Sequence, residues 1–346
     1  MSVAAEHLRT LPTKLGAFRI VAVIGQGGMG IVYRAVDRRT HEAVAIKTVT
    51  LNREFDLGGI RREIHTLQRL DHPGVVRIVD SGVHQGIPWY AMPILEGETL
   101  ATRHHRLWRE ATRRKSDQSA TRVLDPRRIA DDPTTETPLP DFLEGPLSVP
   151  EGEKPQAACG QLKMVLDVAR GLSSTLAYVH GEGVVHRDLK TANVFLCGGD
   201  EPKLIDFGLV WRFGGAASRE VLDDLSTNVA GTAGYMAPEQ IRGELVDARA
   251  DLYALGCVLY ELLTGRLPFG TEGAATRQQH LEGTPIPPSL LVDGIPRDLE
   301  SIVLRLLEKR PDRRFGHAAE LVPLLEALGA RPALWEQAYQ PRAYVY

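Results

Sequence analysis

The sequence predicts an α+β protein in which a small strand-rich region precedes a larger helical one. Three patterns carry that prediction. Apolar residues alternate with period two through residues 18–50, as half-buried strands do. From Leu162 onward they recur at three- and four-residue spacing, the period of amphipathic helices. Between these regions, residues 101–150 follow neither period, being first basic and then acidic and proline-bearing.

Arg19, Ile20, Val21, Ala22, Val23 and Ile24 form a first strand that runs into a glycine-rich turn. Residues 31–36 lead out of that turn, and residues 43–49 follow a polar turn at 38–41, which makes a three-stranded antiparallel meander. Ile60, Ile64, Leu67 and Leu70 then recur at helical spacing, and His72-Pro73-Gly74 stops that helix. Residues 75–79 and 89–92 supply two more short strands, so a small sheet with one helix is complete by residue 95. In the second region Leu162, Val165, Leu166, Ala169, Leu172, Leu176 and Val179 form one apolar stripe. Residues 252–263 are apolar nearly all round, as a buried helix is, and residues 302–307 and 318–328 make later helices. The expected organisation is an N-terminal arm at 1–17, a strand-rich lobe at 18–95, a helical lobe at 96–330 with a mobile insertion at 101–150, and a tail at 331–346.

Composition narrows the function classes. The 346 residues are 43% hydrophobic and 25% charged with a formal net charge of −3, so the overall balance points neither to nucleic acid nor to an anionic membrane surface. The longest apolar run is broken by Glu261 and is too short to span a bilayer, and residues 1–15 lack the apolar core of a signal peptide. Cys159, Cys197 and Cys257 show no Cys-x-x-Cys pairing and read as reduced thiols of a cytoplasmic protein.

Four clusters carry chemistry. Ile24 precedes the glycine-rich loop Gly25-Gln26-Gly27-Gly28-Met29-Gly30, and Val32 follows it. Residues without side chains let backbone N–H groups approach phosphate oxygens. A dinucleotide fold requires strand, loop and helix, whereas here strand pattern lies on both sides. Lys47 ends the strand Val44-Ala45-Ile46, and Glu63 shares a helix face with Ile60 and Leu67, which makes Lys47 its expected cationic partner. The third cluster is His186-Arg187-Asp188-Leu189-Lys190-Thr191-Ala192-Asn193, entered from a short apolar strand at 184–185. Asp188 there suits proton acceptance from an attacking hydroxyl, and Asn193 suits a metal ion. The fourth is Asp206-Phe207-Gly208 behind Leu204-Ile205, with Asp206 as an Mg²⁺ ligand.

These residues, in this order, resemble the eukaryotic-like protein kinases of bacterial serine/threonine type. The resemblance covers residues 18–330 apart from the insertion, and it implies a bilobal protein-kinase fold. It extends to Ala237-Pro238-Glu239, to Asp251, and to Arg314 as the partner of Glu239. It implies ATP contacts from the glycine loop, Ala45, Lys47, the gatekeeper Met92 and the hinge residues Pro93 and Leu95. Pro93 stands where the family usually has glutamate, but it keeps the carbonyl that adenine would use. Thr191 stands where proline is common. Lys190 implies a serine/threonine substrate. Arg187 implies a phosphate on the activation segment, with Ser226 or Thr227 as the modified residue, and Thr232 implies a link from that segment to the catalytic aspartate.

The implied reaction is transfer of the γ-phosphoryl group of ATP, with Mg²⁺ or alternatively Mn²⁺, to a protein hydroxyl. Expected partners are protein substrates and the chain itself, through autophosphorylation that a dimer would support. A pseudokinase would lack one of Lys47, Asp188, Asn193 or Asp206, and a small-molecule phosphotransferase of related fold would lack the Ala-Pro-Glu phrase and Lys190. All of these are present.

Overall fold

A computed structural model of the chain describes residues 12–27, 30–49, 64–109, 154–157, 159–198, 200–207, 233–271, 273–333 and 335. The chain divides into two compact units. One comprises Met1–Glu96 with Lys203–Val229, and the other Gly97–Pro202 with Ala230–Tyr346.

The first unit is built on a six-stranded antiparallel sheet. Its strands are β1 (Lys14–Leu15), β2 (Phe18–Gly27), β3 (Gly30–Asp37), β4 (Ala43–Thr48), β5 (Asp80–His84) and β6 (Ile87–Pro93), in spatial order β1-β2-β3-β4-β6-β5. The meander expected from the alternation is β2-β3-β4. Tyr33, Ala35, Val44, Ile46 and Ala91 alternate toward one face and form a core with Leu15, Phe18 and Trp89. Phe18 meets Trp89 edge-on, with ring centroids 5.8 Å apart. Residues 64–68 are helical (α1) and bury Ile64 and Leu67.

Two expectations change here. The strand expected at 75–79 lies later, as β5. Val75 makes only an isolated parallel bridge to Leu204, with Val76 N–H donating to Leu204 O (2.9 Å) and Leu204 N–H to Gly74 O (2.8 Å). Val75, Val76 and Ile78 are apolar because they are buried, not because they pair in a ladder. The amino-terminal segment also contributes, since Leu15 pairs with Phe18 and sits in the core.

The second unit is mostly helical. After β7 (Glu98–Thr99), residues 100–109 form helix α2. The basic stretch read as the start of an insertion therefore begins within a helix. Leu100 and His104, four residues apart, are buried on one face, while Arg103 and Arg106 pair with Glu98. High charge density hid that period; residues 110–150 lie outside the described residues. Helix α3 (Cys159–Gly181) carries the predicted stripe, with Val165, Ala169, Leu172, Leu176 and Val179 wholly buried. The apolar residues 184–185 form no strand. Val184 is instead buried and bonded to Val179 O (3.1 Å). Strand β8 (Val194–Cys197) pairs with β7, and β9 (Glu201–Leu204) follows. Helices α4 (Pro238–Arg242), α5 (Ala248–Thr264), α6 (Gly273–Glu282), α7 (Arg297–Leu306) and α8 (Leu321–Ala327) complete the described part. Helix α5 is the all-round apolar helix, capped by Asp247, whose carboxylate accepts from Arg249 N–H. No helix among the described residues is long and apolar enough to cross a membrane.

Candidate active site

In the first unit, antiparallel pairing fixes the glycine loop and the lysine. Gly25 faces Val32, Gly27 faces Gly30, and Val32 in turn faces Lys47. The hairpin tip, Gly28 and Met29, lies outside the described residues. Gly30 must be glycine: its φ is +140°, and a Cβ there would meet Thr48 O at 1.8 Å. Thr48 secures the same place by donating to Ile31 O and accepting from Ile31 N–H, both at 3.1 Å. Gln26 lies on β2, and Ile24 there is half exposed. Ala45 and Met92 are opposite one another and buried, and Pro93 faces Val44 at the end of β6. Leu95 follows, partly buried.

Lys47 is buried, and its Nζ lies 2.8 Å from Asp206 Oδ2. The expected partner Glu63 lies outside the described residues. Asp206 also accepts, at Oδ1, from the hydroxyl of Tyr90 (3.2 Å). Its backbone is in the left-handed region, φ +54°, which few non-glycine residues adopt. Phe207 is buried beside it; Gly208 lies outside the described residues.

In the second unit, the loop from His186 to Asn193 is held by a buried carboxylate. Asp251, in the first turn of α5, accepts from His186 N–H (2.7 Å) and Arg187 N–H (2.8 Å), and its Oδ2 lies 2.9 Å from His180 Nε2. Burial alone would raise its pKa, but His180 and His186 hold it below the usual carboxylate range. Gln240 of α4 closes the loop from the other side by donating to Arg187 O (3.0 Å). Arg187 has φ +64°, a left-handed conformation that these bonds sustain.

Asp188 is thereby presented as a buried, fully partnered carboxylate. Lys190 Nζ lies 3.1 and 3.0 Å from its two oxygens, and Asn193 Nδ2 donates to both Asp188 Oδ2 and Asp188 O at 2.8 Å. Thr191 is buried, with its hydroxyl 3.0 Å from Tyr235 Oη, and Tyr235 donates to Glu261 of α5. Burial raises Glu261 to about 7 against the bonds from Tyr235 and Thr191. A hydroxyl thus occupies the place where the resemblance leads one to expect proline, and it joins a buried polar network.

Glu239 and Arg314 form a buried bidentate pair at 2.7 and 2.8 Å. Arg314 also donates to Arg249 O, Glu308 O and Lys309 O. Ser226, Thr227 and Thr232 lie outside the described residues. Tyr90, His180 and the Thr191–Tyr235–Glu261 network support the site residues although no motif marks them. The signal for Tyr90 was a lone hydroxyl within an apolar strand, since a buried phenol needs a partner.

The protein kinase domain family matches residues 18–124 and 156–323. The serine/threonine-protein kinase PknB of Mycobacterium leprae is 32% identical over 326 residues, covering 91% of this chain and 43% of that protein. A probable serine/threonine-protein kinase of Streptomyces coelicolor is 33% identical over 325 residues, 91% of this chain and 40% of its own length. The chain therefore spans less than half the length of these relatives. The crystal structure of the Mycobacterium tuberculosis PknI kinase domain matches in fold, with a TM-score of 0.58, 23% identity and coverage of 92% of this chain and 99% of that one. With the family matched over most of its length and bacterial serine/threonine kinases as its relatives, the chain belongs to the protein kinase family.

Proposed function

We propose that the chain transfers the γ-phosphoryl group of ATP to serine and threonine hydroxyls of proteins. The observation that carries this reading is Asp188, a buried carboxylate fixed by Lys190 and Asn193 in a loop that Asp251 and Gln240 anchor. In this role Asp188 orients the attacking hydroxyl and accepts its proton, while Lys190 offsets charge on the transferred phosphoryl group. Lys47 binds the nucleotide phosphates, and the glycine hairpin offers its backbone N–H groups to them. Positioning and charge neutralisation supply most of the acceleration, since the transition state of phosphoryl transfer is loose.

The donor set fits a hard divalent cation. Asp206 offers a carboxylate, and Asn193, whose amide nitrogen donates to Asp188, carries an amide oxygen of the hard kind that such a cation takes. Asp206 would serve as a ligand of Mg²⁺, with Mn²⁺ as its substitute, and Asn193 is by its chemistry also a candidate metal ligand; such an ion supplies neutralisation of phosphate charge. Pro93 O and Leu95 N–H are the hinge groups for adenine. Glu63 supports Lys47 once nucleotide takes its ammonium.

Substrates are proteins, this chain's own activation segment among them. Arg187 receives the phosphate of Ser226 or Thr227, which a second copy attaches within a dimer, and Thr232 ties that segment to Asp188. The need for ATP places the reaction in the cytoplasm. The test is incubation of the purified chain with radiolabelled ATP, Mg²⁺ and a generic protein acceptor, followed by phosphosite mapping. Label on serine and threonine, lost in Lys47→Met, supports the reading, and label retained in that variant refutes it.

A further inference from the structure

The phenol of Tyr90 is absent from the reaction just described, yet it touches Asp206. We propose that Tyr90 is a positioning residue: its hydroxyl sets the rotation of the Asp206 carboxylate that would receive the metal, and keeps it once the Lys47 ammonium has passed to phosphate. This rests on the kinase reading of Asp206 and adds a residue to it.

Strand pairing makes the contact possible. Tyr90 on β6 lies directly opposite Lys47 on β4. Side chains directly opposite in an antiparallel pair leave the sheet on the same face, a few ångströms apart. Both therefore reach one carboxylate, Tyr90 at Oδ1 (3.2 Å) and Lys47 at Oδ2 (2.8 Å). The final torsion of an aspartate is broad and two-fold, so a donor on each oxygen is what fixes its plane.

The surroundings leave Tyr90 committed to this role. It is only 3% exposed, and Leu67, Val75, Val76, Ile78 and Phe207 line the small cavity it shares with Asp206. A phenol among such neighbours takes the local acceptor. The backbone beneath also needs support. Asp206 stands in a left-handed conformation two residues past Leu204, the last residue tied to Gly74 and Val76. Partners that orient a metal-binding carboxylate raise its affinity for the ion.

The opposite hypothesis is a latch, in which Tyr90 competes with the metal for Oδ1. The two differ in sign. The experiment titrates Mn²⁺ into the full chain at saturating ADP, with bound ion read by electron paramagnetic resonance, for wild type and Tyr90→Phe. Calorimetry of ADP without metal is run in parallel. Positioning predicts Mn²⁺ binding weakened about tenfold in Tyr90→Phe. It also predicts unchanged metal-free ADP binding and a metal KM that rises far more than kcat falls. Tyr90→Met, which refills the apolar space without a hydroxyl, must reproduce the shift. Mn²⁺ affinity that is unchanged or tighter in both variants overturns the proposal. A wild-type chain that binds no Mn²⁺ with ADP overturns the kinase reading along with it.

Discussion

Asp188 and Asp206 are both carboxylates that the proposed reaction needs, and the protein holds them in opposite ways. The Asp188 side chain is 1% exposed and the Asp206 side chain 22%. Asp188 sits in a loop bonded to α5 through Asp251, to α4 through Gln240, and internally through Asn193. Asp206 extends past the end of β9 and takes one donor on each oxygen from a neighbouring sheet. A proton acceptor must be fixed before the substrate hydroxyl arrives, because misplacement costs rate steeply. In the proposed reaction a metal ligand exchanges partners, and Lys47 passes from carboxylate to phosphate. The lesson is that the proton acceptor is fixed from every side, whereas the proposed metal ligand keeps the Tyr90 bond and gives up the Lys47 contact as ligands exchange.

The largest expected effect tests the rigid half. Asp188→Asn keeps the shape and the contact from Asn193 but removes the base. Phosphoryl transfer should fall about 10³-fold, while nucleotide affinity changes little. A single-turnover assay with labelled ATP measures this. Activity within tenfold of wild type would break the contrast, since the rigid loop would then be holding nothing that the chemistry needs.

A second prediction concerns what holds that half together. Arg314 is wholly buried, forks onto Glu239 and also satisfies three backbone carbonyls. Arg314→Ala leaves Glu239 charged and alone in the interior, a loss of about 3–5 kcal/mol of stability by urea denaturation. Arg314→Lys should recover only part of it, because an ammonium cannot reproduce the fork. Full recovery by lysine would mean that charge alone, not geometry, anchors this region.

Much of this was legible in the sequence. The meander, α3 and α5 each carry one dominant period, so alternation at 18–50 and the stripe from Leu162 to Val179 located them. The glycine loop, Lys47, Asp188, Asn193 and Asp206 were legible because their order and flanks are themselves informative. What was not legible depends on contacts distant in sequence. Residues 75–79 read as a strand because burial and pairing both favour valine, and only the position of Leu204 separates the two. Helix α2 hid beneath its arginines. Tyr90 needs the β4–β6 register and the backbone of Asp206 before its hydroxyl means anything. Thr191 looked like a departure from pattern, and its meaning lies in Tyr235 and Glu261, 44 residues from it and 26 further on.

The smallest effect sharpens the contrast from beneath the rigid loop. Glu261 supports Thr191 through Tyr235, and burial raises its pKa from 4.5 to about 7. In the unfolded chain it returns to an ordinary carboxylate. Between pH 4.5 and about 7 the folded chain therefore holds a proton that the unfolded chain has released. Stability from this group is complete below pH 4.5, declines as pH rises to about 7, and is flat above it. Glu261→Gln keeps an amide in the network and cannot ionise, so it lacks that decline. Relative to wild type, the variant should gain about 3 kcal/mol of stability as pH is raised through this window, followed by thermal melts across it. Parallel profiles would show that Glu261 ionises as it does in water, and that the floor of the catalytic loop is as adaptable as the Asp206 side.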